Sequence, residues 1–227
     1  MSTSFLRLPT LGRHRTLLIP VLIVVMASTT ALPALAGDRW LSLAVMAGAT
    51  RPDTDLANYR WDVGGRAAWG AQALLGKGRW GTGLRWSRWN TSQSTGLLGV
   101  EAAPSVRLTS WQIVGQLHAL SLFGVRVLGM ASVGRVHMAY EPDQLILNVE
   151  GASEPLVVDF QPIDEWILGA GIAVDRNLYS GLSLGAELER TSFSLDTAHR
   201  SGGVIEEDRE SFGNWNLRLR LSWALRM

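Results

Sequence analysis

Cysteine is missing from this 227-residue chain, and lysine occurs once, at Lys77. Without cysteine there is no disulfide framework and no thiolate metal site. The other basic residues are arginines, and 20 acidic residues hold the formal net charge to +1. Three arginines, Arg7, Arg13 and Arg15, precede Gly37, where no acid occurs, so the remainder is slightly acidic. Nucleic acid, which wants a clustered basic surface, is thereby excluded as a partner. Beyond residue 36 no apolar run is long enough for a membrane-spanning helix, and no helical period is sustained. A helical membrane protein is excluded.

The N-terminus does carry one apolar run. Arg7, Arg13 and Arg15 lead into "LLIPVLIVVMA" (Leu17 to Ala27), and Ala34-Leu35-Ala36 follows in a small-x-small pattern. That order predicts a secretory signal peptide over residues 1–36. A spanning helix needs about 20 apolar residues; this run is shorter and contains Pro20. The expected mature domain is 37–227, exported through the Sec pathway.

What recurs there is alternation at period two, broken by Gly-rich or polar turns, the mark of half-buried strands. Eight segments carry it. Trp40–Thr50 places Leu41, Leu43, Val45, Ala47 and Ala49 on one face. Trp61–Leu75 sets Val63, Ala67, Trp69, Ala71 and Ala73 against Asp62, Gly64, Arg66, Gly70 and Gln72. Trp80–Asn90 sets Trp80, Thr82, Leu84 and Trp86 against Gly81, Gly83, Arg85 and Ser87. Val106–Leu120 sets Trp111, Ile113 and Leu117 against Ser110, Gln112, Gln116 and His118. In Val125–Tyr140 the apolar face is read as Leu128, Met130, Val136, Met138 and Tyr140, opposite Ala131, Arg135 and His137. Ile163–Val174 sets Trp166, Leu168, Ala170, Ile172 and Val174 against Glu165, Gly169 and Gly171. Leu182–Phe193 sets Leu182, Leu184, Ala186 and Leu188 against Ser183, Gly185, Glu187 and Glu189. Asn214–Met227 alternates Leu217, Leu219, Leu221, Trp223 and Leu225 with Asn216, Arg218, Arg220, Ser222 and Ala224.

Connections alternate in length. Gly76–Arg79, Leu122–Gly124 and Asp175–Gly181 are short; Arg51–Arg60, Thr91–Ser105, Glu141–Pro162 and Ser194–Gly213 are longer. Strands of this length with unequal ends predict an all-β, eight-stranded antiparallel transmembrane β-barrel. Lipid cannot hydrogen-bond a backbone, so the sheet must close and abolish its edges. The apolar faces then meet outer-membrane lipid and lipopolysaccharide. Trp40, Trp61, Trp80, Trp86, Trp111, Trp166, Trp215 and Trp223, on or near strand ends or on the apolar face, are expected to form aromatic girdles. The other faces hold Gly, Ala, Ser and Gln with sparse charge, which suits an interior just wide enough for side chains. Each charge there needs a partner. Arg66, Arg85, Glu165, Glu187, Glu189, Arg218 and Arg220 are expected to form a lumenal ionic network.

In these features the chain resembles the OmpA/OmpX type of small outer-membrane barrel, over Asp38 to Met227 and as an architecture. The resemblance implies the outer membrane of a Gram-negative bacterium and a porin-like fold. It also implies that the last strand is the signal read by the barrel-insertion machinery. Leu219, Leu221, Trp223 and Leu225 match that signal, and Met227 keeps the parity in place of the usual terminal aromatic. No peptidoglycan-binding module of the kind OmpA carries is expected after it.

"LILNV" (Leu145 to Val149) and "LVVDF" (Leu156 to Phe160) read as a hairpin prolonging the fifth and sixth segments. Such a protrusion, residues 141–164, offers backbone groups for strand addition by a surface ligand or host protein. It carries Glu141, Asp143, Glu150, Glu154, Asp159 and Asp164 and no basic residue. The fourth loop adds Asp196, Glu206, Glu207, Asp208 and Glu210 against Arg200 and Arg209. These acids can hold Ca²⁺ or Mg²⁺ but lack EF-hand spacing, and no metal or cofactor is assigned. The expected function is non-enzymatic: envelope integrity, or surface interaction and adhesion. The alternatives are a lipid A-modifying enzyme, a pore and a soluble lipocalin-like carrier. The enzyme would draw on His118 with Ser110 or Ser121, or His137 with Ser132, and neither set forms a recognisable motif.

Overall fold

The computed structural model describes residues 39–94, 103–147, 155–201 and 204–227. The expected signal peptide, together with Val149, Glu150 and Glu154, lies outside the described residues.

Ten strands follow one another: β1 (Arg39–Arg51), β2 (Arg66–Lys77), β3 (Trp80–Ser92), β4 (Ser105–Leu122), β5 (Val125–Glu141), β6 (Gln144–Leu147), β7 (Leu156–Asp159), β8 (Ile163–Tyr179), β9 (Leu182–Ser201) and β10 (Val204–Arg226). Eight of them close an antiparallel barrel in the order β1-β10-β9-β8-β5-β4-β3-β2. The seam runs from Trp40↔Arg226 to Arg51↔Trp215. The short ends turn on Gly78, Gly124 and Gly181, whose φ of 58°, 78° and 78° a side chain would strain.

The outward face holds Leu43, Val45, Leu84, Ile113, Ile172, Leu217, Leu219 and Leu221, each at least 44% exposed. A water-soluble surface does not tolerate a continuous apolar band of this kind; a hydrocarbon environment requires it. The residues expected to carry the insertion signal, Leu219, Leu221, Trp223, Leu225 and Met227, are all exposed.

Inside, the barrel has two zones. Towards the short turns the filling is charged. Towards the long connections Val106, Leu108, Val136, Met138, Ile167, Phe193 and Phe212 form an apolar core, with Trp89 and Tyr140 packed against it. A 3₁₀ turn, Thr54–Tyr59, lays Leu56 on top of this core. Asp53 fixes the turn, accepting from the Asp55 N–H at 3.2 Å.

Five expectations need correction. First, strand 5 is inverted: Leu128, Met130, Val136 and Met138 are buried in the lumen while Arg135 and His137 face out. Val125, Val127, Ala131 and Val133 on the opposite face are apolar too, so alternation alone cannot orient the strand. Second, Trp61 is no girdle residue. The second strand starts at Arg66, and Trp61 makes only a lone bridge to Gln93 before its ring enters the apolar core. Third, Trp40 has lumenal parity with Ala44 and Met46, and its ring covers Gly76 and Gly81, which lack the Cβ that would collide with it. Its Nε1 donates to Gly78 O at 3.2 Å. Fourth, Ser194–Gly213 is largely strand, because β9 and β10 pair on to Ser201↔Val204. Fifth, the hairpin β6–β7 forms its own two-stranded sheet and does not prolong the barrel ladder.

Candidate functional site

Four chains of register bring the lumenal charges together. Gln72 faces Arg85, Glu187 faces both Ala173 and Arg218, and Glu189 faces Gly171. Arg85 spans the barrel. Its Nη2 lies 3.0 Å from Glu187 Oε2 and its Nη1 2.9 Å from Glu189 Oε1, while Nε donates to Gln72 Oε1 at 2.9 Å. Arg218 Nη1 sits 3.2 Å from each glutamate. Ser132 Oγ donates to Glu189 Oε1 at 3.0 Å. The two Arg and two Glu cancel in charge, and all four are at most 3% exposed. Glycine makes the space: a Cβ at Gly169 would meet the Ser132 hydroxyl and the Glu189 carboxylate.

A second set lies nearer the short turns. Arg220 pairs with Asp175 and donates to Gln116 Oε1 at 3.1 Å. Arg126 stands 3.8 Å from Asp175 and donates to Ser183 Oγ at 3.0 Å. Asp175 and Arg126 escape sequence reading. Asp175 opens a segment that reads as a turn, and Arg126 sits on the strand whose direction is ambiguous.

Two expected members do not join. Arg66 pairs with Asp62, and Glu165 accepts from Arg209 Nη2 at 2.5 Å. Each lies six residues up its strand from the central level at Gln72 and Gly171, about 20 Å at the rise of a strand. Period two gives the face of a residue and leaves its height open.

Above the charges, Ser87, Ser110, Gln112, Asn214, Asn216 and Arg218 enclose a void of about 10 Å³, room for about one water molecule. The apolar core closes the lumen above it. Of the enzyme candidates only His118 and Ser121 meet, and the other two pairings do not. His118 Nε2 reaches Ser121 Oγ at 2.8 Å near the short turns, but Ser110 is bonded to Ser87 at 2.7 Å inside the barrel. His137 faces out, 3.0 Å from Asp164, whereas Ser132 faces in to Glu189. Among the described residues no group of three or more His, Asp or Glu side chains is placed to hold a metal ion.

The rim at the long connections is dominated by β9 and β10. Pairing of β9 with β8 stops at Phe193↔Ile167, and pairing of β10 with β1 stops at Trp215↔Arg51. Beyond those points the two strands form a ribbon with, among the described residues, no strand on either outer edge. Arg209 ties it down, pairing with Glu165 and, at 2.8 Å, with Asp196. The hydrogen bonds it donates to the Asp196 and Glu165 carboxylates raise the pKa of this guanidinium. On β10 the Gly213 N–H goes to Asp53 Oδ2 and the Arg209 N–H to its neighbour Asp208. Odd-numbered N–H groups of β10 therefore point to the open edge. Between ribbon and barrel lies a cup lined by Tyr59, Trp61, Gln93, Tyr140, Glu165 and Thr197. Tyr140 donates to Gln93 Oε1 at 2.8 Å, and burial pushes its phenol pKa up.

No protein-family model matches the chain, and no curated protein matches it. Solved structures do. Neisserial surface protein A is similar over 81% of this chain and 96% of its own, at 9% identity and a TM-score of 0.51. The outer-membrane protein AlkL, whose structure was determined in lipid bilayers, is similar over 86% and 95%, at 14% identity and 0.50. OprG of Pseudomonas aeruginosa is similar over 85% and 97%, at 13% identity and 0.46. At such identities the likeness to the first two speaks for fold alone. The closed eight-stranded antiparallel sheet, apolar outside and filled inside, is the architecture of the small OmpA/OmpX-type outer-membrane barrels.

Proposed function

We propose that this chain is a non-enzymatic barrel of a Gram-negative outer membrane that presents its β9–β10 ribbon to a protein partner by strand addition. Residues 1–36 are its cleaved signal peptide, and 37–227 fold as the barrel domain. The observation that carries the reading is the open edge of β10. Beyond Trp215 its odd-numbered N–H groups face no neighbouring strand among the described residues, those of Arg209 and Gly213 going to Asp208 and Asp53, on a hairpin anchored to a sealed scaffold. A strand presented in this way adds a partner strand through main-chain hydrogen bonds. The sealed lumen argues against a pore; of the lipid A-modifying alternative's pairs, His137 and Ser132 lie on opposite faces, while His118 meets Ser121 on an exposed stretch near the short turns.

Proline tests the edge without disturbing the hairpin. Glu207→Pro and Ser211→Pro each delete an outward N–H, which an edge strand tolerates. Cells displaying the wild-type barrel are expected to adhere to immobilised matrix protein, and the proline variants to lose adhesion while keeping the heat-dependent shift in gel mobility. Adhesion that survives both prolines rejects strand addition. An altered lipid A mass on overexpression rejects the non-enzymatic reading. Mass spectrometry of the exported protein tests the cleavage: the expected mature chain starts at Gly37.

A further inference from the structure

Every strand of the barrel carries an outward Arg or Trp near the ribbon end, and a set can be followed around the barrel in which the two types alternate; Trp86 of β3, two residues below Arg88, stands beside that set between Trp69 and Trp111. In barrel order they are Arg51 (β1), Trp69 (β2), Arg88 (β3), Trp111 (β4), Arg135 (β5), Trp166 (β8), Arg190 (β9) and Trp215 (β10). Arg51↔Trp215, Trp69↔Arg88, Trp111↔Arg135, Arg135↔Trp166 and Arg190↔Trp215 are direct register pairs. The other three junctions are staggered. Trp69 faces Ala47, four residues before Arg51; Trp111 faces Trp86, two before Arg88; Arg190 faces Ala170, four after Trp166. These offsets run in one sense and take up the stagger that strand tilt imposes on a barrel. The eight side chains therefore form a level ring.

Three of the guanidinium groups lie over indole faces: Arg88 at 5.8 Å from the Trp69 ring, Arg135 at 5.3 Å from Trp166 and Arg190 at 5.6 Å from Trp215. Among the described residues no carboxylate lies within ion-pair distance of Arg51, Arg88, Arg135 or Arg190. The nearby acids are committed elsewhere: Glu141 to Arg107, Asp164 to His137 and Asp196 to Arg209. A ring of four cations without counter-charge, at the edge of an apolar band, needs anions from its surroundings. Indoles settle at the headgroup level, and stacking holds the guanidinium groups of Arg88, Arg135 and Arg190 there; Arg135 Nη2 also donates to Asp164 O at 3.4 Å, and the remaining N–H groups, without a protein acceptor among the described residues, are open to an oxyanion.

We propose that this ring is a binding site for the phosphate groups of the glycolipid in the outer leaflet. It rests on the outer-membrane reading above. The occupant follows from charge complementarity and from continuity with the lipid-facing band. Each arginine at a membrane surface gains from anionic headgroups, and the forked guanidinium suits phosphate better than an ammonium does.

The test is a titration of tryptophan fluorescence for the refolded protein in phosphatidylcholine vesicles, with bisphosphorylated lipid A added in one arm and dephosphorylated lipid A in the other. Four ring indoles report directly. Wild type is expected to prefer the phosphorylated form by at least about tenfold, on the same per-residue gain. The variant Arg51→Gln/Arg88→Gln/Arg135→Gln/Arg190→Gln is expected to lose the preference. A control at the opposite rim, Arg176→Gln/Arg226→Gln, is expected to keep it. Should the fourfold variant fail to fold, Arg88→Gln/Arg135→Gln is read instead and is expected to reduce the preference several-fold. Equal binding of the two lipid forms by wild type overturns the proposal, as does an unchanged preference in the ring variant. Failure of wild type to insert into vesicles would instead overturn the outer-membrane reading, so the two failures are told apart.

Discussion

The two halves of the lumen are built on the same strands by opposite rules. Below, β9 and β10 point Glu187, Glu189, Arg218 and Arg220 inward, and each finds a partner of opposite sign. Above, the same strands point Phe193, Leu195 and Phe212 inward, into a core of the kind a water-soluble domain has. The change tracks what lies outside. Where the wall faces hydrocarbon, exterior apolar surface contributes no hydrophobic drive, and the interior is held by ion pairs and hydrogen bonds. Where the wall rises into water, burying Phe and Met in the interior is favourable again. Arg135 and His137 on the outside of β5 mark that transition, opposite the buried Val136 and Met138.

The largest effect should come from breaking the charged half. Glu187→Ala leaves Arg85 and Arg218 facing one remaining carboxylate. Removing one partner of a buried ion pair costs about 3–5 kcal/mol, so refolding yield and the urea midpoint should fall sharply. Replacing Arg85, Arg218, Glu187 and Glu189 together by Met and Leu of similar volume should be far milder. In the apolar half, Phe212→Ala should cost about 3–5 kcal/mol by opening a cavity. Unlike Glu187→Ala, its effect should be insensitive to salt. On the outer wall, Leu219→Arg should cost about 2–4 kcal/mol if that residue sits near the bilayer midplane; folding into vesicles reads it. The smallest effect belongs to the rim. Arg209→Gln removes exposed pairs to Glu165 and Asp196, worth about 0–1 kcal/mol, and should loosen the ribbon towards protease without shifting the barrel's unfolding. A single-channel recording of wild type should show no steady conductance, since both halves close the lumen.

Strand number, the outward face of seven strands and the unequal connections could be read from the chain because period two and turn residues are local signals. Height was not legible. Arg66 and Glu165 have lumenal parity yet sit too far along their strands to meet Arg85. The ribbon was hidden for a related reason: Ser194–Gly213 is rich in Ser, Asp and Glu, which reads as loop when strand pairing across the hairpin is unseen. Trp40 and Trp61 were assigned by residue type, and their neighbours decided otherwise. Gly76 and Gly81 leave a recess that only an inward Trp40 fills, and the core under the 3₁₀ turn takes in Trp61. The Arg/Trp ring needed register as well, since its members are scattered from position 51 to position 215.

The seam carries one last implication. Because β1 bonds to β10, and the two lie at opposite ends of the barrel sequence, every shorter run of strands leaves two unpaired edges that lipid cannot satisfy. Assembly must then be deferred until the final strand is available, and something must hold the preceding strands apart from one another until then. A chain shortened before Leu217 should accumulate outside the membrane and be degraded rather than insert as a smaller barrel.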